Sequence, residues 1–131
     1  MAKASLVDQP RPVRWVGSSK EDISRFPEEA RRRIGGALWD AQIGVKAPYA
    51  KPLQGFGGAN VMEIVDGFAG DAYRAVYTVR FARAVYVLHA FQKKSKRGIA
   101  TPTAELELIR RRLERAREDC EQWSNAEPRS R

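Results

Sequence analysis

Cysteine is almost absent from this chain of 131 residues, which contains only Cys120. A lone cysteine excludes an internal disulfide and favours a reducing compartment, so we expect a cytoplasmic protein. Histidine is equally scarce, because His89 is the only one, and the sequence shows no Cys/His cluster with the spacing of a structural zinc site. We therefore expect no metal and no other cofactor.

Long apolar runs are also missing. No stretch approaches the roughly 20 apolar residues that a membrane-spanning helix needs, so we expect no membrane partner. Residues 1–12 lack the apolar core of a secretory signal, and we expect them to be a flexible lead-in. With 43% hydrophobic residues the chain is too apolar for disorder, and its length suits a single domain, 1–131, with a frayed tail over 124–131.

Acidic residues are outnumbered, since 16 Asp and Glu stand against 24 Lys and Arg, which gives a net charge of +8. An excess of this sign favours nucleic acid or another acidic partner. The excess is most concentrated in the segment KKSKR, in which Lys93, Lys94, Lys96 and Arg97 have no carboxylate among them. The cations further along the chain alternate with glutamates instead.

The order of patterns predicts an α+β fold. VRWVG, from Val13, is a short β-type run, and SSKEDISRFP has the serines and early acids of a helix start. A second, amphipathic helix is expected after Pro27, with Gly44 as its stop. Residues 45–58 are rich in proline and glycine and predict a loop.

From Asn60 the hydrophobic period changes from helical to twofold. NVMEIV, AYRAVYTVRF and AVYVLHAFQ predict an antiparallel meander, with a turn in DGFAGD. Thr101 as N-cap and Pro102 as first helical residue predict a long final helix, with the arginines of 110–117 on its solvated back. We expect two N-terminal helices and a C-terminal helix packed on a small antiparallel sheet.

One face of this sheet collects the candidate chemistry. Alternation places Arg74 and Arg80 on one face, and Tyr73 and Tyr77 on the other, where core packing is the favoured interpretation.

The arginine face would also hold the histidine. A tight turn at Ala82 and Arg83 would put His89 opposite Val76 and diagonally beside Arg74. The residues of the last strand that are expected on the arginine face are Val85, Val87, His89 and Phe91.

Arginine, lysine and histidine on one face suit a phosphodiester. Guanidinium groups match phosphate oxygens bidentately, and histidine can move a proton near neutral pH. RNA can supply its own 2′-OH as nucleophile, so the protein needs only a base, an acid and charge stabilisation. Purely structural roles are the alternatives: His89 could be a hydrogen-bonded structural residue, KKSKR a solvated loop, and Arg74 the partner of Glu63 in a cross-strand ion pair.

The segment YRAVYTVRFARAVYVLHAFQKKSKRGIATPTAELELIRRRLE, with KPLQGFGGANVMEIV before it, resembles the RelE/ParE superfamily of type II toxins, in the HigB-like, phage Gp49-like branch. The resemblance covers roughly Val13 to Glu121, and its most specific elements are YRxxY, LHxFxKK and TPxxE. It implies a microbial RNase-type fold and a toxin that cuts messenger RNA, often in the ribosomal A site. It also implies a cognate antitoxin, commonly a helix-turn-helix protein encoded beside the toxin.

The resemblance also assigns residues. Arg74 matches the family's phosphate-binding arginine, while His89, Lys93 and Lys94 match the basic strand end beside the cleavage site. Arg74 and Lys93 are expected to stabilise the transition state and His89 to transfer the proton, although the general base stays open among His89, a lysine and Glu63. The candidate contacts to RNA or the ribosome are Lys51, Arg80, Lys96 and Arg97, and the candidate accessory residues are Glu63 and Tyr77.

Two departures from the family pattern keep alternatives open. Branch members often have Glu-Leu-Arg where this chain reads Glu63, Ile64, Val65, so an arginine is missing, and the basic loop is longer than usual. The missing arginine could weaken catalysis, or Lys96 or Arg97 could compensate for it. The leading hypothesis is a ribosome-dependent mRNA endoribonuclease toxin; the alternatives are a non-nuclease, ParE-like toxin that binds DNA gyrase, or a basic nucleic-acid-binding module.

Overall fold

The computed structural model describes residues 9–58, 60–94 and 101–126, and of Lys94 the backbone only. These ranges hold three helices and five strands, which confirms the α+β class. The helices are α1 (Ser19–Ser24), α2 (Glu28–Gln42) and α3 (Thr103–Ala126), and the strands are β1 (Val13–Trp15), β2 (Lys51–Pro52), β3 (Val61–Phe68), β4 (Asp71–Thr78) and β5 (Val85–Lys94). None of these helices has the length and apolar character to cross a membrane.

The strands form one sheet in the order β1-β5-β4-β3-β2. The meander of β3, β4 and β5 is antiparallel as predicted, but β1 pairs in parallel with β5, so the sheet is mixed. The short β2 lies in the segment that was predicted to be a loop. Its Pro52 is tolerated because β2 is an edge strand, where a missing N–H disrupts no inner ladder.

Helices cover both faces of the sheet. The α1 and α2 side buries Ile34 of α2 against Ile64 and Tyr77, and the α3 side buries Ile109 against Val76 and Leu88. The apolar side of the amphipathic helix predicted after Pro27 packs into the first of these cores, and α3 buries Ile109 and Ala116 in the second. Because the faces are covered by different helices, each face can be perturbed separately.

The ends of the described chain are held by hydrogen bonds and helical structure. Arg11, in the segment predicted to be a lead-in, donates to the carbonyls of Phe81 and Ala41 at 2.8 and 2.9 Å. α3 includes residues 124–126, part of the segment predicted to fray. Its start differs from the prediction, because α3 begins at Thr103 and the Pro102 carbonyl accepts the Leu106 N–H at 3.0 Å.

The connection between β4 and β5 is not the tight turn that was predicted. It runs over residues 79–84, and Tyr77 pairs with Val87 while Val76 pairs with His89, so Leu88 is the extra residue of a β-bulge. The bulge reverses the predicted facing of the first part of β5. Val85 and Val87 pack on the α2 side, and Tyr86 and Leu88 pack on the α3 side. The pairing of His89 with Val76 is confirmed, although the turn that predicted it is wrong.

A polar network ties the C-terminal half of α3 to the sheet. Asp119 accepts hydrogen bonds from Arg14 Nε at 2.9 Å and from the Tyr86 hydroxyl at 2.7 Å. The hydrogen bond from Arg14, followed by that from Tyr86, lowers the pKa of Asp119 below its ordinary 3.8. Because the folded pKa is depressed, the network stabilises the fold above that value and is lost as pH falls through the folded pKa.

Asp119→Asn is therefore expected to destabilise the protein at neutral pH and to match the wild type in strong acid. The loss at neutral pH is expected to stay below about 1 kcal/mol, because the Arg14 and Asp119 side chains are almost half exposed. Denaturant unfolding across the acidic range measures it, with Glu118→Gln at the exposed neighbouring position as control. A difference that persists at the lowest pH would contradict the assignment.

Candidate functional site

Arg74 lies on the α3 face of β4 in an ion pair with β3. Its Nη1 donates to Oε2 of Glu63 at 2.7 Å, and the Thr101 hydroxyl donates to the same oxygen at 3.1 Å. The Arg74 and Glu63 side chains are only 11% and 14% exposed. The structure thus contains the cross-strand pair that the sequence offered as the alternative for Arg74, and Thr101 serves this pair instead of capping α3.

A cleft of about 370 Å³ opens over this ion pair. Lys51 pairs in register with Glu63, so its exposed side chain borders the same space as Arg74. Two cations and one carboxylate leave the cleft with a net positive charge, which suits an anionic ligand. The residues that line it are Lys51, Pro52, Leu53, Gln54, Glu63, Arg74, Thr101 and Leu106.

His89 is bonded at both ring nitrogens to α3. Nε2 lies 2.6 Å from Oε1 of Glu105, and Nδ1 lies 3.3 Å from Nη1 of Arg112, while the ring stacks on Phe91 with centroids 5.0 Å apart. Arginine can only donate, so Nδ1 is the acceptor and the proton of a neutral ring sits on Nε2, from which it is donated to Glu105. The histidine is therefore held in one tautomer and one orientation.

The Arg112 side chain extends from α3 and packs tightly against β5 and the turn before α1. Its Nη1 also donates to the Leu88 carbonyl at 3.0 Å, and burial lowers its pKa. The guanidinium lies on the backbone of Gly17, which has φ 59°. A Cβ at this glycine would fall 2.7 Å from Arg112 Cζ, so glycine is required both by the backbone angle and by the contact.

Gly17→Ala is expected to cost more stability than Gly57→Ala. Both glycines have positive φ, 59° and 53°, so each alanine carries a backbone penalty of about 1–2 kcal/mol. A Cβ at Gly57 would have no heavy atom within 4 Å, whereas at Gly17 it would meet the Arg112 guanidinium. We expect an additional loss of about 1 kcal/mol for Gly17→Ala in urea unfolding, because the clash must be relieved. Equal losses would mean that Arg112 moves away freely.

The predicted basic strand end is partly described. Lys93 is exposed and lies two residues beyond Phe91 on β5, with its backbone opposite Ala72. The Lys94 backbone pairs with Asp71. Lys96 and Arg97 lie outside the described residues, so their predicted contacts with RNA or the ribosome stay predictions.

Two other candidate residues are not brought to the cleft. Arg80 follows β4 at its far end, about 20 Å along the strand direction from Arg74, and its guanidinium lies 5.8 Å from the ring centroid of Phe81. Tyr77 is fully buried on the opposite face of the sheet, and burial raises its pKa to about 12. The core interpretation of Tyr77 is confirmed.

Sequence reasoning assigned no role in the site to Glu105, the glutamate of the TPxxE motif, or to Arg112. The arginines of 110–117 were all predicted on the solvated back of the helix, which is wrong for Arg112. A signal was present: Glu105, Arg112 and Asp119 are seven residues apart, so they share one side of a helix, and all three bond to β5. Within the described ranges, no three His, Cys, Asp or Glu side chains group together as a metal site would require.

Comparison with known proteins shows the family to which the chain belongs. Residues 21–114 match the family model described as "Phage derived protein Gp49-like". Among solved structures, the chain is similar to one in the crystal structure of the toxin-antitoxin complex RelBE2 from Mycobacterium tuberculosis, with 21% identity, 66% of this chain and 99% of that chain covered, and a TM-score of 0.36. No curated protein matches. The family match includes β3, β4, β5 and the first half of α3, and the protein therefore belongs to the Gp49-like family of phage-derived proteins.

Proposed function

We propose that this protein is the toxin of a toxin–antitoxin pair and that it is an endoribonuclease acting on messenger RNA. The observation that carries the proposal is the position of Arg74, held by Glu63 in the floor of a positively charged cleft, on the same sheet face as His89 and Lys93. Membership of the Gp49-like family, and the likeness of YRAVY, LHAFQKK and TPTAE to the HigB-like branch of RelE/ParE toxins, support it.

The register of β4 and β5 suits an in-line displacement at phosphorus. Arg74 pairs with Phe91, so His89 and Lys93 are its two diagonal neighbours, one on each side, at about 7–8 Å. A phosphate bound to Arg74 by its equatorial oxygens would direct its two apical positions toward these neighbours. One side can then take the proton of the attacking 2′-OH, and the other can protonate the leaving 5′-oxygen.

The reaction balances without a further reactant. The 2′-oxygen forms a bond to phosphorus as it loses its proton to a base on the His89 side, the bond from phosphorus to the 5′-oxygen breaks, and that oxygen is protonated by the Lys93 ammonium. The products are a 2′,3′-cyclic phosphate and a 5′-hydroxyl end. Arg74, with Lys51 at the rim, stabilises the additional negative charge of the phosphorane.

The partners follow from the same proposal. A net charge of +8 suits contacts with messenger RNA and ribosomal RNA phosphates, and Lys96 and Arg97 are proposed to make some of them. The cognate antitoxin is proposed to be a helix-turn-helix protein encoded beside the toxin gene. Co-expression of the adjacent reading frame should then restore the growth of cells that produce this protein.

Cleavage of a defined messenger RNA tests the proposed function. Purified protein is added to a translation extract and to free RNA, and new 5′ ends are mapped by primer extension. We expect cuts that a single 2′-deoxy substitution at the cleaved nucleotide abolishes and that EDTA leaves unchanged on free RNA. Intact messenger RNA in an extract, with growth arrest in cells, would contradict the nuclease, and accumulation of cleaved DNA in those cells would favour gyrase binding.

A further inference from the structure

We propose that Glu105, and not His89, is the general base of this RNA cleavage, and that His89 and Arg112 are the positioning residues that orient it. This inference rests on the proposed nuclease function. It is carried by the bonds between β5 and α3, by the different exposure of the two side chains, and by the strand register, which sets His89 diagonally beside Arg74.

His89 has no lone pair to offer a substrate. Arg112 donates to Nδ1, and Nε2 carries the proton that is donated to Glu105. The side chain is 8% exposed, and the ring is covered on one face by Phe91. To accept a proton, the ring would have to displace Arg112, whose Nη1 is also held by the Leu88 carbonyl. Breaking this buried hydrogen bond would cost free energy before each proton transfer, so His89 is a poor general base.

Glu105 is the accessible member of the pair. Its side chain is 30% exposed, and only Oε1 is bonded to His89. Across the described ranges, no hydrogen bond to Oε2 of Glu105 is present, so this oxygen can receive a proton from outside. Catalytic triads have a similar arrangement, in which one side chain fixes the tautomer of a second side chain, and the second orients the side chain that reacts.

The place of Glu105 fits the displacement at Arg74. Through His89 the carboxylate is fixed on one diagonal side of Arg74, opposite to the side of Lys93. Two residues near it on the chain reach the cleft, since Thr101, four positions earlier, bonds to Glu63 and Leu106, the next residue, lines the wall. Glu105 is therefore proposed to face the 2′-OH, with Lys93 beside the leaving 5′-oxygen.

The proton transfer is then defined at the level of atoms. The 2′-OH proton moves to Oε2 of Glu105 while the 2′-oxygen bonds to phosphorus, and Lys93 gives its proton to the departing 5′-oxygen. Glu105 must be ionised at the start, so activity should rise with pH along an acidic limb. Among the described residues, the charged or titratable groups that face it are His89 of β5 and Arg112 of α3, with Asp22 of α1 beyond Arg112.

The first experiment compares Glu105→Gln with Glu107→Gln. Glu107 is exposed and lies two residues further along α3, so it is a matched control for the loss of one carboxylate. With a short RNA that contains one cleavage site, we expect Glu105→Gln to reduce kcat by about 10²- to 10⁴-fold and to lose the acidic limb. Glu107→Gln should keep both. Retention of the acidic limb in Glu105→Gln would overturn the proposal.

The second experiment separates the base from the acid. A nucleoside 3′-(p-nitrophenyl phosphate) has a leaving group that departs without a proton, so Lys93→Ala should recover most of its lost activity on it. Glu105→Gln should not recover, because the 2′-OH still needs a base. Recovery of both variants would contradict the assignment of Glu105.

A third comparison distinguishes orientation from catalysis. His89→Asn should lower kcat but keep the acidic limb, since the carboxylate that gives it remains. If His89→Asn loses the limb while Glu105→Asp keeps it at wild-type activity, His89 is the base and the proposal fails. Thermal melting checks that each variant is folded, and should Glu105→Gln not fold, this pair of pH profiles decides. A wild-type protein that cleaves no RNA would refute the proposed function itself.

Discussion

Replacing Arg74 with alanine is expected to reduce RNA cleavage by about 10²- to 10³-fold. The expectation follows from the loss of a positioned donor to a developing negative charge, which has this magnitude in other enzymes. Arg74 is fixed by its bond to Glu63 at 2.7 Å, so it contributes without reorganising during the reaction. The effect should fall mainly on kcat, because Lys51 and the overall charge of the chain still attract RNA.

The same substitution is expected to destabilise the fold. Without Arg74, the largely buried carboxylate of Glu63 keeps, among the described residues, the Thr101 hydroxyl at 3.1 Å as its hydrogen-bond donor, and breaking a buried pair in this way costs about 3–5 kcal/mol. Loss of activity in Arg74→Ala alone would therefore be ambiguous. Activity must be measured at a temperature at which the variant is fully folded.

Arg74→Lys separates the two effects. A lysine keeps a positive charge beside Glu63, so most of the stability should return, but it lacks the planar fork that binds two phosphate oxygens at once. We expect Arg74→Lys to melt close to the wild type and to remain at least about 10-fold less active. Arg111→Ala, at an exposed position of α3, is the control for the loss of one cation. Full activity of Arg74→Lys would mean that the charge of Arg74 suffices.

The sequence predicts the strand pairing around Arg74 better than it predicts the connection between β4 and β5. Twofold alternation follows from the hydrophobic pattern and is present. The pairing of His89 with Val76 is also present, although the tight turn from which it was predicted is not. No strong turn signal predicts the long connection over 79–84 or the bulge at Leu88. The shifts that these two features cause in the register between β4 and β5 cancel each other. For the same reason, the facing of Val85 and Val87 was predicted wrongly.

The α3 side of the site depends on tertiary contacts. Nothing in the local sequence distinguishes Arg112 from the arginines at 110, 111, 115 and 117. The burial of Ile109 fixes how α3 is rotated about its axis, and this rotation turns Arg112 toward β5. Arg112 is the third residue after Ile109, close to one helical turn, so its direction can be predicted once it is known which stripe of α3 is buried. The direction of β1 is a different case, since three residues carry no pattern that distinguishes parallel from antiparallel pairing.

The two faces of the sheet therefore contribute differently to the candidate site. The α2 face holds a core of apolar side chains, including Ile34 and Tyr77, and contributes none of the described residues that line the cleft. The α3 face combines an apolar core around Ile109 with Arg74, His89 and their partners. Packing of α3 is thus a condition for the geometry of the site, while packing of α2 supports the fold alone.

Ile109→Ala and Ile34→Ala are expected to lose similar stability but different amounts of activity. Both side chains are fully buried, at 0% and 1% exposure, and truncation of such an isoleucine costs about 2–5 kcal/mol. α3 also carries Glu105 and Arg112 one turn to either side of Ile109, so a cavity there lets the helix shift over β5. A small misplacement of reacting groups is costly, and we expect at least a 10-fold lower kcat in Ile109→Ala, with Ile34→Ala near the wild type.

The comparison is made well below both melting temperatures, so that the unfolded fraction does not enter the measured rate. Urea unfolding first establishes that the two losses of stability are similar. A lower kcat in Ile109→Ala alone would show that the docking of α3 sets the geometry of the site, because the same number of methyl groups has been removed from each face. Equal activity in the two variants would mean that the bonds from α3 to His89 and Leu88 hold the helix without Ile109, and that the polar contacts alone fix the site.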